Sequence, residues 1–276
     1  PGDTLLVVDG AIARLSVFGP DGRFLRSSRL DSEAGGALPT VLLPDRTLLA
    51  RPGFSFNSST PGGIARDTAA LPRFDLDGAR VGELAPVPMG ERWVFNIGGS
   101  TGAGSHPFGK QTLLAPAESG FWLATGDQPE VELRAPDGEL LRIVRWADRP
   151  RPLTEEMAAS FEAGMRDDPE DRVAVEAYLG GMLYPETLPT ASELMSDAGG
   201  RLWVRPFAVP FEEEAAPPFM VFDPDGRLLG EVAFPDRFEP RAITDERVYG
   251  VWTDELDIEQ VRVYALRRGA ASADVP

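Results

Sequence analysis

Short runs of apolar and β-branched residues recur along this chain, each closed off by Gly, Pro, Asp or Ser, and few stretches sustain a helical period. The pattern is clearest in residues 219–232, FMVFDPDGRLLGEV. Val221 and Phe222 lead into Asp223-Pro224-Asp225-Gly226, and a second β-prone run follows from Arg227. Pro presets φ, Asp bonds the backbone two residues on, and Gly takes a positive φ, so the segment predicts a hairpin. Similar text stands at residues 16–25, 72–81 and 131–141, with Asp-Gly pairs at 21, 77, 137 and 225. A hairpin repeated at long period predicts an all-β fold, a β-propeller.

Taken in order, residues 4–8, 13–18 and 23–30 make three strands of a first blade. Residues 40–43, 47–50 and the hairpin around Asp77-Gly78 make a second, interrupted by a Gly/Ser/Pro-rich loop at 52–66. Residues 93–97 form a short strand candidate ahead of the glycine-rich 98–104, read as loop. A third blade spans 111–146, a fourth 193–234, and 241–266 supply three strands of a fifth. The expectation is a single domain over 1–276 with about five blades of a probable six. The first blade lacks its inner strand and the last its outer one, so an N-terminal part is expected to be missing.

Between the third and fourth blades, residues 153–181 change period. Thr154 is a candidate N-cap with Glu155 and Glu156 in the first turn, where acidic groups face the positive helix end. Met157, Phe161 and Met165 recur every four residues and share a face. A second helix starts at Asp168-Pro169 and stops at Gly180-Gly181. The stripe is read as packing, a short helical insertion covering one end of the blades.

Composition narrows the classes of partner. The formal charge of the 276 residues is −17, with a pI near 4.5, so phosphate backbones and anionic lipid are repelled and nucleic-acid binding is not expected. The absence of cysteine removes disulfides, thiolate metal sites and cysteine nucleophiles. No apolar run reaches membrane-spanning length, so no membrane insertion is expected.

Several segments carry a resemblance. Residues 2–9 (GDTLLVVD), 14–18 (RLSVF), 200–205 (GRLWVR), 250–264 (GVWTDELDIEQVRVY) and 185–189 (PETLP) resemble a group of uncharacterised bacterial six-bladed β-propeller proteins, in the style of NHL-repeat and gluconolactonase-like propellers. The resemblance implies an extracytoplasmic protein, periplasmic or secreted, with further blades upstream. It carries over no catalytic residue.

The candidate chemistry is sparse. Residues 104–110, GSHPFGK, have phosphate-loop spacing, but Gln111 stands where Ser or Thr must hold magnesium, Pro107 removes an N–H, and strand follows where helix is required. His106 is the single histidine, which leaves a catalytic triad or two-histidine metal site at most one participant; its default reading is a loop side chain in water. Asp75, Asp77, Asp223 and Asp225 echo a calcium loop without its later oxygens and are read as turn residues. Asp254 and Asp257, in the densest acidic run near a strand end, are the metal candidates, since gluconolactonase-like propellers hold calcium with carboxylates along the axis. Glu212-Glu213-Glu214 is read as a solvated loop. Arg66, Asp67, Trp93, His106 and Lys110 are candidates for ligand binding on an end face rimmed by the 52–66 and 98–110 loops. Two functions follow: a noncatalytic module binding a protein or small-molecule ligand without a cofactor, or a calcium-dependent hydrolase of lactonase type.

Overall fold

The computed structural model of the protein describes residues 4–31, 37–52, 63–97, 99–147, 149–167, 172–211 and 216–267. Most of the 52–66 loop, the helix start at 168–171 and the acidic run at 212–214 lie outside them. The chain divides into two compact units, residues 1–192 with 207–212, and residues 193–206 with 213–276.

In the first unit, β1 (Leu5–Asp9), β2 (Arg14–Phe18) and β3 (Phe24–Arg29) form an antiparallel meander. Next come β4 (Leu38–Leu42), β5 (Leu48–Arg51), β6 (Gly63–Ala65), β7 (Thr68–Phe74), β8 (Arg80–Pro88), β9 (Arg92–Ile97) and β10 (Ser100–Ser105). Of these, β4-β5-β7-β8 make a four-stranded meander, and β10-β9-β6 a small separate sheet. Then β11 (Leu113–Ala117), β12 (Gly120–Ala124), β13 (Glu130–Arg134) and β14 (Leu140–Arg145) make another meander, followed by α1 (Glu155–Asp167) and α2 (Arg172–Leu179). The second unit holds the meander β15 (Glu193–Ser196), β16 (Leu202–Arg205), β17 (Phe219–Phe222) and β18 (Leu228–Val232), and the three-stranded β19 (Phe238–Ile243), β20 (Arg247–Thr253) and β21 (Glu259–Ala265).

Five of these sheets are up-and-down meanders of the kind that form propeller blades. The fold is all-β, of the β-propeller class, with a short helical insertion. No helix among the described residues is long and apolar enough to cross a membrane.

Sheets buried on both faces explain why the middle strands read as unbroken apolar runs. On β5, Leu48 and Ala50 pack with Leu15, Leu30 and Phe74, while Leu49 between them packs with Leu71, Phe121 and Leu123. Alternation along one strand thus serves two cores, one towards each neighbouring meander. In the second unit Trp203, Phe219, Phe238, Ile243 and Val248 fill the space between its two sheets.

Among the described residues, seven hairpins close on one five-residue turn, beginning at Gly19, Leu43, Asp75, Ala135, Asp197, Asp223 and Asp254. In each, the first N–H donates to the fifth carbonyl, and the fourth N–H donates back to the first carbonyl. The fourth residue has a positive φ: Gly22, Arg46, Gly78, Gly138, Gly200, Gly226 and Asp257. An Asp carboxylate from the first or third position accepts the fifth N–H in every case. Four of the seven carry the Asp-Gly signal.

At Gly78 (φ 86°) a Cβ would also stand 2.3 Å from the Arg29 carbonyl oxygen. Gly78→Ala is expected to cost about 2 kcal/mol or more, combining left-handed strain with a backbone clash. Asp257→Gly, at φ 59°, is expected to stabilise by up to about 1 kcal/mol, since it relieves the same strain without a contact to lose. Urea melts of the two variants should therefore move in opposite directions.

Two expectations need correction. The glycine-rich segment is not loop: Ser100–Ser105 pairs antiparallel with β9, residue for residue. Gly102 lies opposite Phe95, and a Cβ there would sit 2.8 Å from that ring, so the missing side chain makes room for the cross-strand aromatic. The end of the 52–66 loop likewise supplies β6, which pairs with β9. The helical insertion forms as expected. Thr154 Oγ1 accepts the Met157 N–H at 3.3 Å, and the 157/161/165 stripe packs on Trp93, Phe108 and Leu188.

Candidate functional site

The five ligand candidates gather along β9, where their polar groups are committed to the scaffold. Just after β6, Arg66 donates from Nε to the Met89 carbonyl (2.8 Å), from Nη2 to the Thr125 carbonyl (2.6 Å) and from Nη1 to Asp127 (2.6 Å). Asp67 accepts from Arg92. Trp93 is fully buried, its indole N–H donating to the Tyr178 carbonyl at 2.6 Å. Lys110 Nζ lies 3.6 Å from Glu91, whose other carboxylate oxygen accepts the Lys110 N–H.

His106 corrects the sequence reading. It is 3% exposed, with Nε2–H donating to the Leu183 carbonyl (2.8 Å) and Nδ1 accepting the Phe108 N–H (3.1 Å). The edge of the ring meets Tyr184, whose position is set by the helical insertion 77 residues or so along the chain. Burial lowers the pKa below 6.5, against the opposing pull of the Leu183 carbonyl and Glu91. As the pH falls, the unfolded chain therefore binds the proton first. The stability tied to neutral His106 is complete above pH 6.5 and is lost below it. The urea midpoint should drop between about pH 7 and pH 5, by at most about 1.4 kcal/mol per pH unit from this group. His106→Gln, which keeps a donor for Leu183, should flatten that dependence.

Asp254 and Asp257 share one hairpin turn between β20 and β21. Asp254 Oδ1 accepts the N–H groups of Leu256 (2.8 Å) and Ile258 (2.9 Å), and Asp257 holds the positive-φ position. Among the described residues no three His, Cys, Asp or Glu side chains converge as a metal site. These two carboxylates by themselves do not compose a calcium centre.

A recess lies elsewhere, in the second unit. It is a cleft of about 450 Å³ whose lining includes Arg205, Phe219, Val232, Phe234, Arg237 and Glu239. Its aromatic side is a run of rings in mutual contact. Phe219 and Phe234 meet edge to face at 5.7 Å, Phe234 stacks on Trp203 at 6.4 Å, and Phe238 follows at 5.6 Å from Phe234.

Arg205, the last residue of β16, lies across from Glu193 in the β15 register. Its guanidinium carbon stands 4.4 Å from the centre of the Phe219 ring, a cation–π contact, and Nε lies 3.4 Å from Glu193 Oε2. The side chain is only 19% exposed, and its Nε–H, fully shielded, has no hydrogen-bond partner. Burial raises the Glu193 pKa above 4.5, with Arg205 and Arg241 pulling it back down. A charged guanidinium set over a phenyl ring and short of acceptors has the chemistry to receive an anion. Glu193 and Arg205 are twelve residues apart in sequence, and only the strand register reveals them as a pair.

No known sequence family matches the chain, and no curated protein does. Solved structures similar to it include a member of the DUF4221 family from Bacteroides vulgatus (13% identity, 96% of this chain and 76% of that one, TM-score 0.45). BamB from Moraxella catarrhalis (12%, 96% and 56%, 0.36) and apo AztD from Citrobacter koseri (12%, 92% and 64%, 0.38) are also similar. The chain thus spans just over half of the BamB chain and under two thirds of AztD. At these scores the likenesses bear on no residue of the cleft.

Proposed function

We propose that this chain is a noncatalytic binding module, and that the Arg205 cleft of the second unit is where it takes its ligand, a small molecule or a protein segment. The carrying observation is Arg205 itself, mostly buried, set over Phe219, with Glu193 at 3.4 Å as its one acidic neighbour among the described residues, and lining an open recess. The Nε–H is shielded on the Glu193 side, so the donors that a ligand in the cleft would meet are those of the two terminal guanidinium nitrogens. The recess sets the apolar surface of Phe219, Val232, Phe234 and Phe238 beside a charged rim of Arg205, Asp236, Arg237, Glu239 and Asp257, so a ligand with both an apolar and a polar part would match it. An extracytoplasmic location belongs to the same proposal and is supported by the resemblance of residues 2–9, 200–205 and 250–264 to bacterial propellers.

A ligand-observed NMR screen of a small-fragment library against the full chain tests this reading. Binders are expected, and they should be lost in Phe234→Glu, which places a carboxylate on the floor. A library that yields no binder sensitive to that substitution would remove the cleft as the site.

A further inference from the structure

Resting on that reading, the chemistry of the cleft selects among ligands. We infer that the site recognises a monocarboxylate with an apolar body, an aryl- or branched alkyl-carboxylic acid whose head pairs with Arg205 and whose tail lies on Phe234 and Val232.

Three observations combine. The first is the state of the guanidinium. It has five donors in a fixed plane. Among the described residues, the sole acidic partner within ion-pair distance is Glu193, approached through Nε at 3.4 Å, where no hydrogen bond forms. A planar carboxylate matches the geometry of such a fork, whereas a single hydroxyl or amide oxygen uses one donor only.

The second is the apolar wall. Phe219, Val232, Phe234 and Phe238 all line the recess. The volume of about 450 Å³ lies in the range of small-ligand pockets, enough for a phenyl group with a short linker and its head. A bare inorganic anion would leave that surface wet and gain nothing from it.

The third is the field of the whole chain. A net charge of −17, together with Asp236, Glu239 and Asp257 outnumbering Arg205 and Arg237 around the recess, disfavours di- and polyanions. One negative charge, placed against Arg205, is the arrangement with the smallest repulsion. Nucleotides and phosphorylated ligands are thereby set aside in favour of a carboxylate.

Glu193 gives the inference its sharpest consequence. Across the register it already shares Arg205, so a ligand carboxylate competes with it for the guanidinium. Removing the Glu193 charge should therefore tighten binding. A purely structural role for Arg205 predicts the reverse, because losing its counter-ion would loosen the floor.

The experiment is isothermal titration of the full chain with 3-phenylpropionate, 3-phenylpropanol, 3-phenylpropylamine and inorganic phosphate. The acid is expected to bind at least tenfold more tightly than the alcohol, with no heat from phosphate. Arg205→Lys should weaken the acid about tenfold or more and leave the alcohol unchanged, since the ammonium keeps the charge and loses the planar fork. Glu193→Gln should tighten the acid several-fold. Circular dichroism on each variant identifies any that fail to fold, and the acid–alcohol comparison on the unaltered chain stands without them. Equal binding of acid and alcohol would overturn the carboxylate inference and leave the binding reading standing. Preference for the amine would overturn it in the same way, pointing to the rim carboxylates. Binding of none of the four, alongside a screen without hits, would remove both.

Discussion

Asp197→Ala is expected to be the most damaging single substitution in the second unit, lowering stability by about 3–5 kcal/mol. The Asp197 side chain is 0% exposed. One oxygen accepts the N–H groups of Gly199 (2.9 Å) and Arg201 (3.0 Å), closing the turn between β15 and β16. The other accepts from Arg201 Nη1 at 2.7 Å and from the Trp203 indole at 3.2 Å. Alanine leaves four donors without an acceptor, two of them on a largely buried arginine and a buried tryptophan. The damage also spreads beyond one hairpin. The same turn bridges to Ile243 on β19, and the Ala198 N–H donates to the Ile243 carbonyl, so the turn links the two sheets of that unit. Asp197→Asn keeps one carbonyl oxygen and should lose roughly half as much. Urea unfolding followed by tryptophan fluorescence measures both; a loss under about 1 kcal/mol for alanine would contradict the assignment.

Trp93→Ala is expected to cost a similar amount in the first unit, about 3–5 kcal/mol, and to release the helical insertion. The indole fills the centre of a cluster made by Phe108, Phe161, Leu179, Met182 and Leu188. Its N–H caps the Tyr178 carbonyl near the end of α2, so one side chain supplies both the packing and a polar tie. Phenylalanine keeps most of the volume and should cost less, chiefly the lost hydrogen bond. Limited proteolysis gives the local readout. Cleavage within α1 or α2 should quicken in Trp93→Ala well before global unfolding, whereas unchanged cleavage would mean the insertion is held by something other than this residue.

How much of this could be read from the sequence depends on whether the signal was local. The hairpins at Asp21-Gly22, Asp77-Gly78, Asp137-Gly138 and Asp225-Gly226 were legible, because the Gly marks the positive φ and an Asp just before it, in the pair or two residues earlier, marks the side-chain bond. The turns at Arg46, Gly200 and Asp257 share that hydrogen-bond plan but lack the pair, with Arg and Asp in the left-handed position at two of them. The strand at Ser100–Ser105 was illegible for the opposite reason: glycine argues for loop unless its cross-strand neighbour, here Phe95, is known.

Long-range placement accounts for the rest. His106 sits among glycines and a proline and reads as exposed, yet Leu183 and Tyr184 come over it from beyond the helical insertion. Trp93, Lys110 and Arg66 read in the sequence as candidates for ligand binding on an end face, and the structure uses their polar groups to fasten β9 and its flanking turns. The Arg205 cleft left no mark in local sequence. Its pieces come from β15, β16, β17 and β19, and no spacing rule brings Glu193, Arg205, Phe219 and Glu239 together. Register and the packing of aromatic rings do so.

Amide chemical-shift mapping of the full chain with 3-phenylpropionate tests the central claim most directly. The account predicts shifts concentrated at Arg205, Phe219, Val232, Phe234 and Glu239, saturating with ligand concentration. Shifts confined to the surroundings of Arg66, Asp67 and Lys110, or no saturable shift anywhere, would contradict it.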